Sequence, residues 1–280
     1  MSAHGITNEL RDWLKAQLAA GCRVDDVVGA MRASGWSEPA ALAALQEVLP
    51  GAQPAMEMLP PSSRVPEPAV DHGINLIDVD GHPVRVQLTM KLPRVVLFGG
   101  LLTEAECDEL IVQARPRLSR SETVVNATGG SEVNAARTSD GMFFQRGETP
   151  LIQRIENRIA ALLRWPVQWG EGLQVLHYRP GAEYKPHHDY FDPAHAGTEA
   201  VLRRGGQRVG TLVMYLNTPQ QGGGTTFPDI GLEVGAVKGN AVFFSYDKPH
   251  PSTRTLHGGA PVVAGEKWVA TKWLREREFN

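Results

Sequence analysis

Within Tyr184-Lys-Pro-His187-His188-Asp189-Tyr-Phe, two residue types that bind metals stand two positions apart. In an extended segment alternate side chains share a face, so His187 and Asp189 point one way and His188 the other. An imidazole and a carboxylate so placed offer two adjacent corners of a metal's coordination shell. A third ligand from a distant strand would complete a facial triad and leave three positions open, which suits non-haem iron(II) binding a bidentate cosubstrate and oxygen together. His-x-Asp alone arises often by chance on solvated surfaces, so the pair needs company. Two histidines downstream could supply it: His250, in the turn-like DKPHPS, and His257, in LHGGAPV. His177 reads as a core histidine or a support for the ligands. Lys267 follows His257 and opens KWVATKWL, where a period of two puts Val269, Thr271 and Trp273 on its face. A lysine on the apolar side of a strand stays charged only beside an anion.

The flanking sequence supplies strands to hold these residues. LQVLHY, TLVMYLN, EVGAV, AVFFSY and WVATKWL are separated by Gly, Pro and Asp clusters, the mark of an all-β barrel or sandwich. Thr211 falls on one strand face with Val213 and Tyr215. Upstream, Val84–Met90 alternates and Val95–Phe98 is a short apolar run. Thr103 opens a helix through a capping box with Glu106, and Thr149-Pro150 opens another with Ile152, Ile155, Ile159 and Leu162 on one face. Residues 119–148, with NATGGSEVN, read as an exposed loop and a candidate mobile lid. Asp192, His195 and Asp247 read as solvent-facing loop residues.

The N-terminal fifty residues have a different character. Thr7 can cap a helix bearing Leu10, Trp13, Leu14 and Leu18, with Gly21 as its stop; Val24, Val27, Val28 and Met31 mark a second. Ser37 can cap a third, with Leu42, Leu45, Val48 and Leu49. The pattern loosely resembles three-helix modules of the ubiquitin-associated type; a helical appendage or dimerisation element reads equally well. Six prolines between 50 and 68 mark a semi-extended linker. The expected organisation is a three-helix module at 1–49, a linker at 50–70 and a catalytic domain at 71–280.

Composition narrows the function. In 280 residues, 42% are apolar and 21% charged, close to a globular average. The formal charge of -3 gives no global attraction to nucleic acid or an anionic membrane. No apolar run approaches the ~20 residues of a membrane helix, and the start lacks the layout of a signal peptide. Cys22 and Cys107 form no CxxC. A cytoplasmic protein with neither nucleic acid nor membrane as partner is expected; the oligomeric state is left open.

Four blocks then carry a resemblance: NAARTSDGMFF, LQVLHYRPGAEYKPHHDYF, GTLVMYLNTPQQGGGTTFP and TLHGGAPVVAGEKWVATKW. In order and spacing they resemble the prolyl 4-hydroxylase branch of the 2-oxoglutarate- and iron(II)-dependent dioxygenases, over approximately residues 95–276. The resemblance implies an α+β fold, a double-stranded β-helix (jelly-roll) core with flanking helices, preceded by the small all-α module. It implies His187, Asp189 and His257 as the iron(II) ligands, with Lys267 anchoring the distal carboxylate of 2-oxoglutarate. Thr211 would add a hydroxyl to that carboxylate, with Tyr178, Tyr215 and Trp273 around the cosubstrate and metal. Barrel packing is the plainer reading for Tyr178 and Tyr215. Arg137, Ser139, Glu171 and Tyr184 would line the peptide groove, a structural salt bridge being the alternative for Arg137. The implied reaction consumes 2-oxoglutarate and O2, releases succinate and CO2 and hydroxylates a peptidyl proline at C4, as a procollagen-proline 4-dioxygenase does, with ascorbate as reductant. One departure is Gly224, where many members carry Glu before the Thr of this turn.

Three rivals stand beside this reading. One is the same oxygenase acting on a non-prolyl residue or a free amino acid. The others are a metal-binding jelly roll without redox chemistry and an inactive peptide-binding module. An intact triad plus Lys267 argues against the last two, because neither needs a cosubstrate anchor.

Overall fold

Alternating and continuous apolar runs dictate strands from residue 76 onward, and the structure sorts their two faces into two cores. The structure, a computed structural model, describes residues 7–19, 27–28, 30–31, 34, 36–48, 60–70, 73–120, 123–124, 131–132, 138–195 and 197–280. The chain divides into two compact units, Met1–Leu59 and Pro60–Asn280. In the first, helix α1 spans Asn8–Ala19 and α2 spans Glu38–Val48. The Leu10 N–H donates to Thr7 Oγ1 and the Ala40 N–H to Ser37 Oγ, the two caps expected from sequence. Leu14, Val27, Met31, Ala41 and Leu45 are buried together. Of the expected middle helix only Val27, Val28, Ala30 and Met31 lie among the described residues, and all four are helical; Gly21, Val24 and Leu49 lie outside them.

The second unit carries helices α3 (Glu104–Ala114), α4 (Pro150–Leu163) and the short α5 (Thr198–Leu202). Its strands are β1 (Leu76–Val79), β2 (His82–Met90), β3 (Arg94–Gly99), β4 (Ser119–Arg120), β5 (Thr123–Val124), β6 (Ser131–Glu132), β7 (Asp140–Phe144), β8 (Leu173–Tyr178) and β9 (Tyr184–His187). They continue as β10 (Arg208–Tyr215), β11 (Gln221–Gly222), β12 (Thr225–Phe227), β13 (Leu232–Val234), β14 (Ala241–Ser245), β15 (His257–Gly259), β16 (Val262–Ala264) and β17 (Lys267–Arg275). Nine form a major sheet in the order β1-β2-β3-β14-β10-β17-β8-β7-β4, and four form a minor sheet, β13-β12-β15-β9. Every ladder is antiparallel.

One face of the major sheet, with Val96, Phe98, Val175, Leu212, Phe243 and Ala270, packs under α3 and α4. The other, with Val95, Leu176, Val242, Phe244 and Val269, packs with Phe227 and Val234 of the minor sheet. Both faces of β8 and β17 are therefore covered, and every residue of the two strands is buried. Thr103 and Glu106 form the expected capping box. Glu106 also takes Arg154 and Arg158 of α4, which ties the two helices together. Burial alone would raise this carboxyl; Arg158, the Thr103 N–H and Arg154 overcome it and hold it at about 2.

Two expectations are corrected here. Residues 119–148 are not one loop: Asp140–Phe144 pairs with β8 along its length, and Ser119–Arg120 pairs with β7. The run Gly-Met-Phe-Phe gives this strand an apolar face that polar neighbours on both sides concealed. Residues 121–122, 125–130 and 133–137, where the lid was expected, lie outside the described residues. Second, Pro60–Val70 is not free linker. Pro66 and Pro68 are buried, the Ser63 N–H donates to the Asp247 carbonyl, and Ser62 Oγ donates to the Asp247 carboxylate. Glu67 pairs with Arg94, and the Arg64 guanidinium lies over Trp165. Asp247, expected to be a solvated loop residue, is the anchor of this strap.

Candidate active site

Six strands, and the turn that follows one of them, converge on one cavity between the two sheets. It is lined by Leu176 and Tyr178 from β8, Tyr184 and His187 from β9, Thr211 and Val213 from β10, and Thr225 from β12. His257, Gly258 and Gly259 of β15 close one side, and Lys267, Val269, Thr271 and Trp273 of β17 the other, with Asp189 at the base. The period-two face expected for Lys267 is thus the face that meets the cavity. Register places His257 opposite His187. That approach requires Gly258, because a Cβ there would sit 2.9 Å from the Tyr184 carbonyl oxygen. Likewise the Lys267 stem runs under Gly223, whose φ of +73° and nearby chain favour glycine.

His187, Asp189 and His257 offer ligand atoms that all lie within 4.8 Å of one another. His187 Nε2 is 3.5 Å from Asp189 Oδ1, and His257 Nε2 is 3.4 Å from Oδ2. Each imidazole sets its Nδ1 2.9 Å from a carbonyl oxygen, Lys185 for His187 and Thr255 for His257. A carbonyl only accepts, so Nδ1 carries the proton and both Nε2 lone pairs face the shared space. Burial would raise the Asp189 carboxyl, but His257 and His187 outweigh it and hold the group well below the usual range. Burial, then the neighbouring His257, pushes the His187 imidazole down toward its neutral, ligating form. These donors fit a divalent metal: two imidazole Nε2 atoms and one carboxylate, each oriented by a further partner.

Lys267 is 4% exposed and, among the described residues, has no hydrogen-bond or ion-pair partner; the Tyr178 ring lies 5.3 Å from Nζ. Burial lowers its ammonium to about 8, with Glu233 opposing. An unpaired buried cation in a cavity is a socket for an anion.

The other sequence-derived residues divide. Tyr184 stacks on His187 with centroids 3.8 Å apart, and Trp273 lines the cavity beneath the Arg208 guanidinium at 4.1 Å. Thr211 is in the cavity, but its hydroxyl is bonded to Asp189, so it serves the triad and not the lysine end. Tyr215 lies behind the wall, where its hydroxyl donates to Thr225 Oγ1. Ser139 is buried just before β7 and is not among the lining residues. Glu171 is also off the cavity: both oxygens accept from Arg208, and Arg275 stands 3.5 Å away. Arg137 lies outside the described residues. His250 caps the turn Pro251–Thr253 through Nδ1, and His177 stacks on Trp268 and bonds Glu266, so neither joins the cluster. Sequence reasoning missed Thr225, Arg208 and Tyr246. Thr225 stood inside the quoted GGGTTFP block, where its polar type between glycines and Phe227 was the available signal. At Gly224 the Glu233 carboxylate occupies the space a side chain would need.

A His-Asp-His cluster and an unpaired lysine on facing antiparallel sheets define a metal-dependent oxygenase architecture, and residues 173–275, which include every residue of the cavity wall, match the model of the 2OG-Fe(II) oxygenase superfamily. Prolyl 4-hydroxylases are among the similar proteins. Probable prolyl 4-hydroxylase 8 of Arabidopsis thaliana is 40% identical over 209 residues, 67% of this chain and 70% of the relative. Prolyl 4-hydroxylase 5 of the same plant is 39% identical over 225 residues, 72% of this chain and 76% of the relative. The viral collagen prolyl hydroxylase of Paramecium bursaria Chlorella virus-1, solved as a 2OG complex, superposes with a TM-score of 0.50 at 29% identity. That likeness covers 65% of this chain and 95% of the viral one. The chain belongs to the prolyl 4-hydroxylase family of 2OG-Fe(II) oxygenases.

Proposed function

We propose that Pro60–Asn280, read as a double-stranded β-helix, hydroxylates C4 of a proline within a peptide, with iron(II) held by His187, Asp189 and His257 and with 2-oxoglutarate and O2 as cosubstrates. The observation that carries this is the placement of the triad and the unpaired Lys267 on one cavity. Bound iron supplies the oxygen activation that couples decarboxylation of 2-oxoglutarate to succinate with hydroxylation of a substrate C–H bond. Ascorbate is the proposed reductant that keeps the iron ferrous.

The protein's own groups do the rest. Lys267 neutralises the distal carboxylate. Because Tyr215 donates to Thr225 Oγ1, the Thr225 proton is free to be donated to an anion in the cavity. Leu176, Val213 and Val269 exclude water around that end and strengthen both contacts. Tyr184 and Trp273 offer aromatic walls to the cavity, and Phe143, 45% exposed, lies 6.4 Å from the Trp273 ring. Proline-rich peptides keep a preformed polyproline II shape and dock on such walls with little loss of entropy.

The test is incubation of the full chain with iron(II), 2-oxoglutarate and a library of proline-containing peptides, read by mass spectrometry. One added oxygen on proline is expected, and its loss in His187→Ala, Asp189→Ala and His257→Ala, with His250→Ala unchanged. Efficient turnover of free proline or another amino acid, with every peptide inert, would replace the peptide by a small molecule as substrate.

A further inference from the structure

Asp189 stands beyond the end of β9, which stops at His187, so no ladder fixes its carboxylate. The lead-in and first half of β10 do so instead. Gln207 clamps the Phe191 backbone, accepting its N–H and donating to its carbonyl, both at 2.8 Å. Arg208 Nη1 reaches the Asp189 carbonyl at 3.5 Å. Thr211 Oγ1 then donates to Asp189 Oδ2 at 2.7 Å. Thr211 has one proton and has used it, so the Tyr246 hydroxyl, 2.9 Å away, must donate to Thr211. All three side chains are nearly inaccessible: Asp189 is 6%, Thr211 1% and Tyr246 2% exposed.

This relay breaks a symmetry. Oδ1 and Oδ2 lie at nearly equal distances from the two imidazoles, 3.5 Å from His187 and 3.4 Å from His257. An unassisted carboxylate in that position could present either oxygen to a metal, or both. Arg208 does not decide the matter, since its Nη1 is 4.0 Å from Oδ1, too far for a hydrogen bond. Thr211 does decide it, because its proton occupies Oδ2.

We propose that Thr211, seated by Tyr246, is a positioning residue that commits Oδ2 of Asp189 to a hydrogen bond and presents Oδ1 alone to the metal. A single carboxylate oxygen leaves three positions of an octahedral shell open, the number that a bidentate cosubstrate and oxygen require; a chelating carboxylate leaves two. The inference rests on the metal reading of the triad and deepens it.

Cobalt(II) tests it without oxygen chemistry, since its visible absorption reports coordination number. Metal-free full chain is titrated with cobalt(II), and affinity and band shape are read together. Thr211→Ser, which keeps the hydroxyl, is expected to stay within about threefold of wild type with the same band. Thr211→Val, close in shape but without the donor, should bind roughly 10–100-fold more weakly and with an altered band. Tyr246→Phe, which deletes one oxygen and keeps the ring, should shift in the same direction by less, and it carries the test where the valine variant does not fold. A Thr211→Val protein matching wild type in affinity and band would overturn the proposal. So would Thr211→Ser failing as badly as valine, which would make packing the cause. No cobalt uptake by the wild-type chain would overturn the metal reading itself, and this inference with it.

Discussion

Burial draws the Lys267 ammonium from its ordinary 10.5 down to about 8, which gives one residue two opposite pH signatures. In the ligand-free protein the unfolded chain holds this proton more tightly than the native state. Stability from this group therefore rises as pH goes from about 8 toward 10.5. With 2-oxoglutarate present the sign reverses, because the distal carboxylate binds the protonated lysine. The cosubstrate Kd should rise about tenfold per pH unit above about 8 and be flat below it. Isothermal titration at several pH values checks this, with cobalt(II) in place of iron; a Kd that stays flat to pH 10 would mean the lysine does not meet the anion. Lys267→Ala should weaken 2-oxoglutarate roughly 30-fold or more while metal binding persists. The lysine's position was readable from sequence, because alternation puts Val269, Thr271 and Trp273 on its face and all four line the cavity; the anion proposed for it came from the resemblance. Thr211 was not readable in the same way. Alternation put it on the cavity face, but its partner depends on where the turn after His187 brings Asp189, a contact across twenty-two positions of chain. Glu171 failed for a similar reason, since the claim Arg208 makes on it is set by the fold.

At the scale of elements, the strands around the cavity were legible wherever an apolar run was long. LQVLHY, AVFFSY and KWVATKWL became buried strands close to their expected bounds. β7 was hidden by its length of five residues and polar surroundings. The strap at Pro60–Val70 was hidden because proline-rich composition describes an extended chain equally well whether it is solvated or packed. Here Pro66 sits against Gly210, immediately before Thr211. A chain beginning at residue 71 loses this packing, the Ser62 and Ser63 bonds to Asp247 and the Glu67–Arg94 pair. Together these amount to about 2–4 kcal/mol. Compared with a chain beginning at Pro60, its Tm should fall by roughly 5–10 °C in a calorimetric scan. Equal melting of the two would show that the strap contributes nothing beyond its own ordering cost.

For the whole molecule, the division of labour follows from where the chemistry lies. Every residue assigned to metal, cosubstrate or peptide falls between Arg137 and Trp273, inside the second unit. The first unit has its own buried cluster around Leu14, Met31 and Leu45, and among the described residues it brings no metal-ligand group together. No described helix is long and apolar enough to cross a membrane. The first unit is thus expected to be dispensable for catalysis, with recruitment of a partner or substrate as its proposed role. A chain beginning at Pro60 keeps the strap and the complete cavity, so its kcat and its KM for 2-oxoglutarate should match those of the full chain within about twofold, as for changes far from a site. A proline peptide presented free in solution should show the same kcat/KM with both chains. If recruitment is the role, a difference should emerge only when the proline lies within a larger protein substrate. A folded chain from Pro60 that no longer turns over 2-oxoglutarate would instead make the first unit part of the active site.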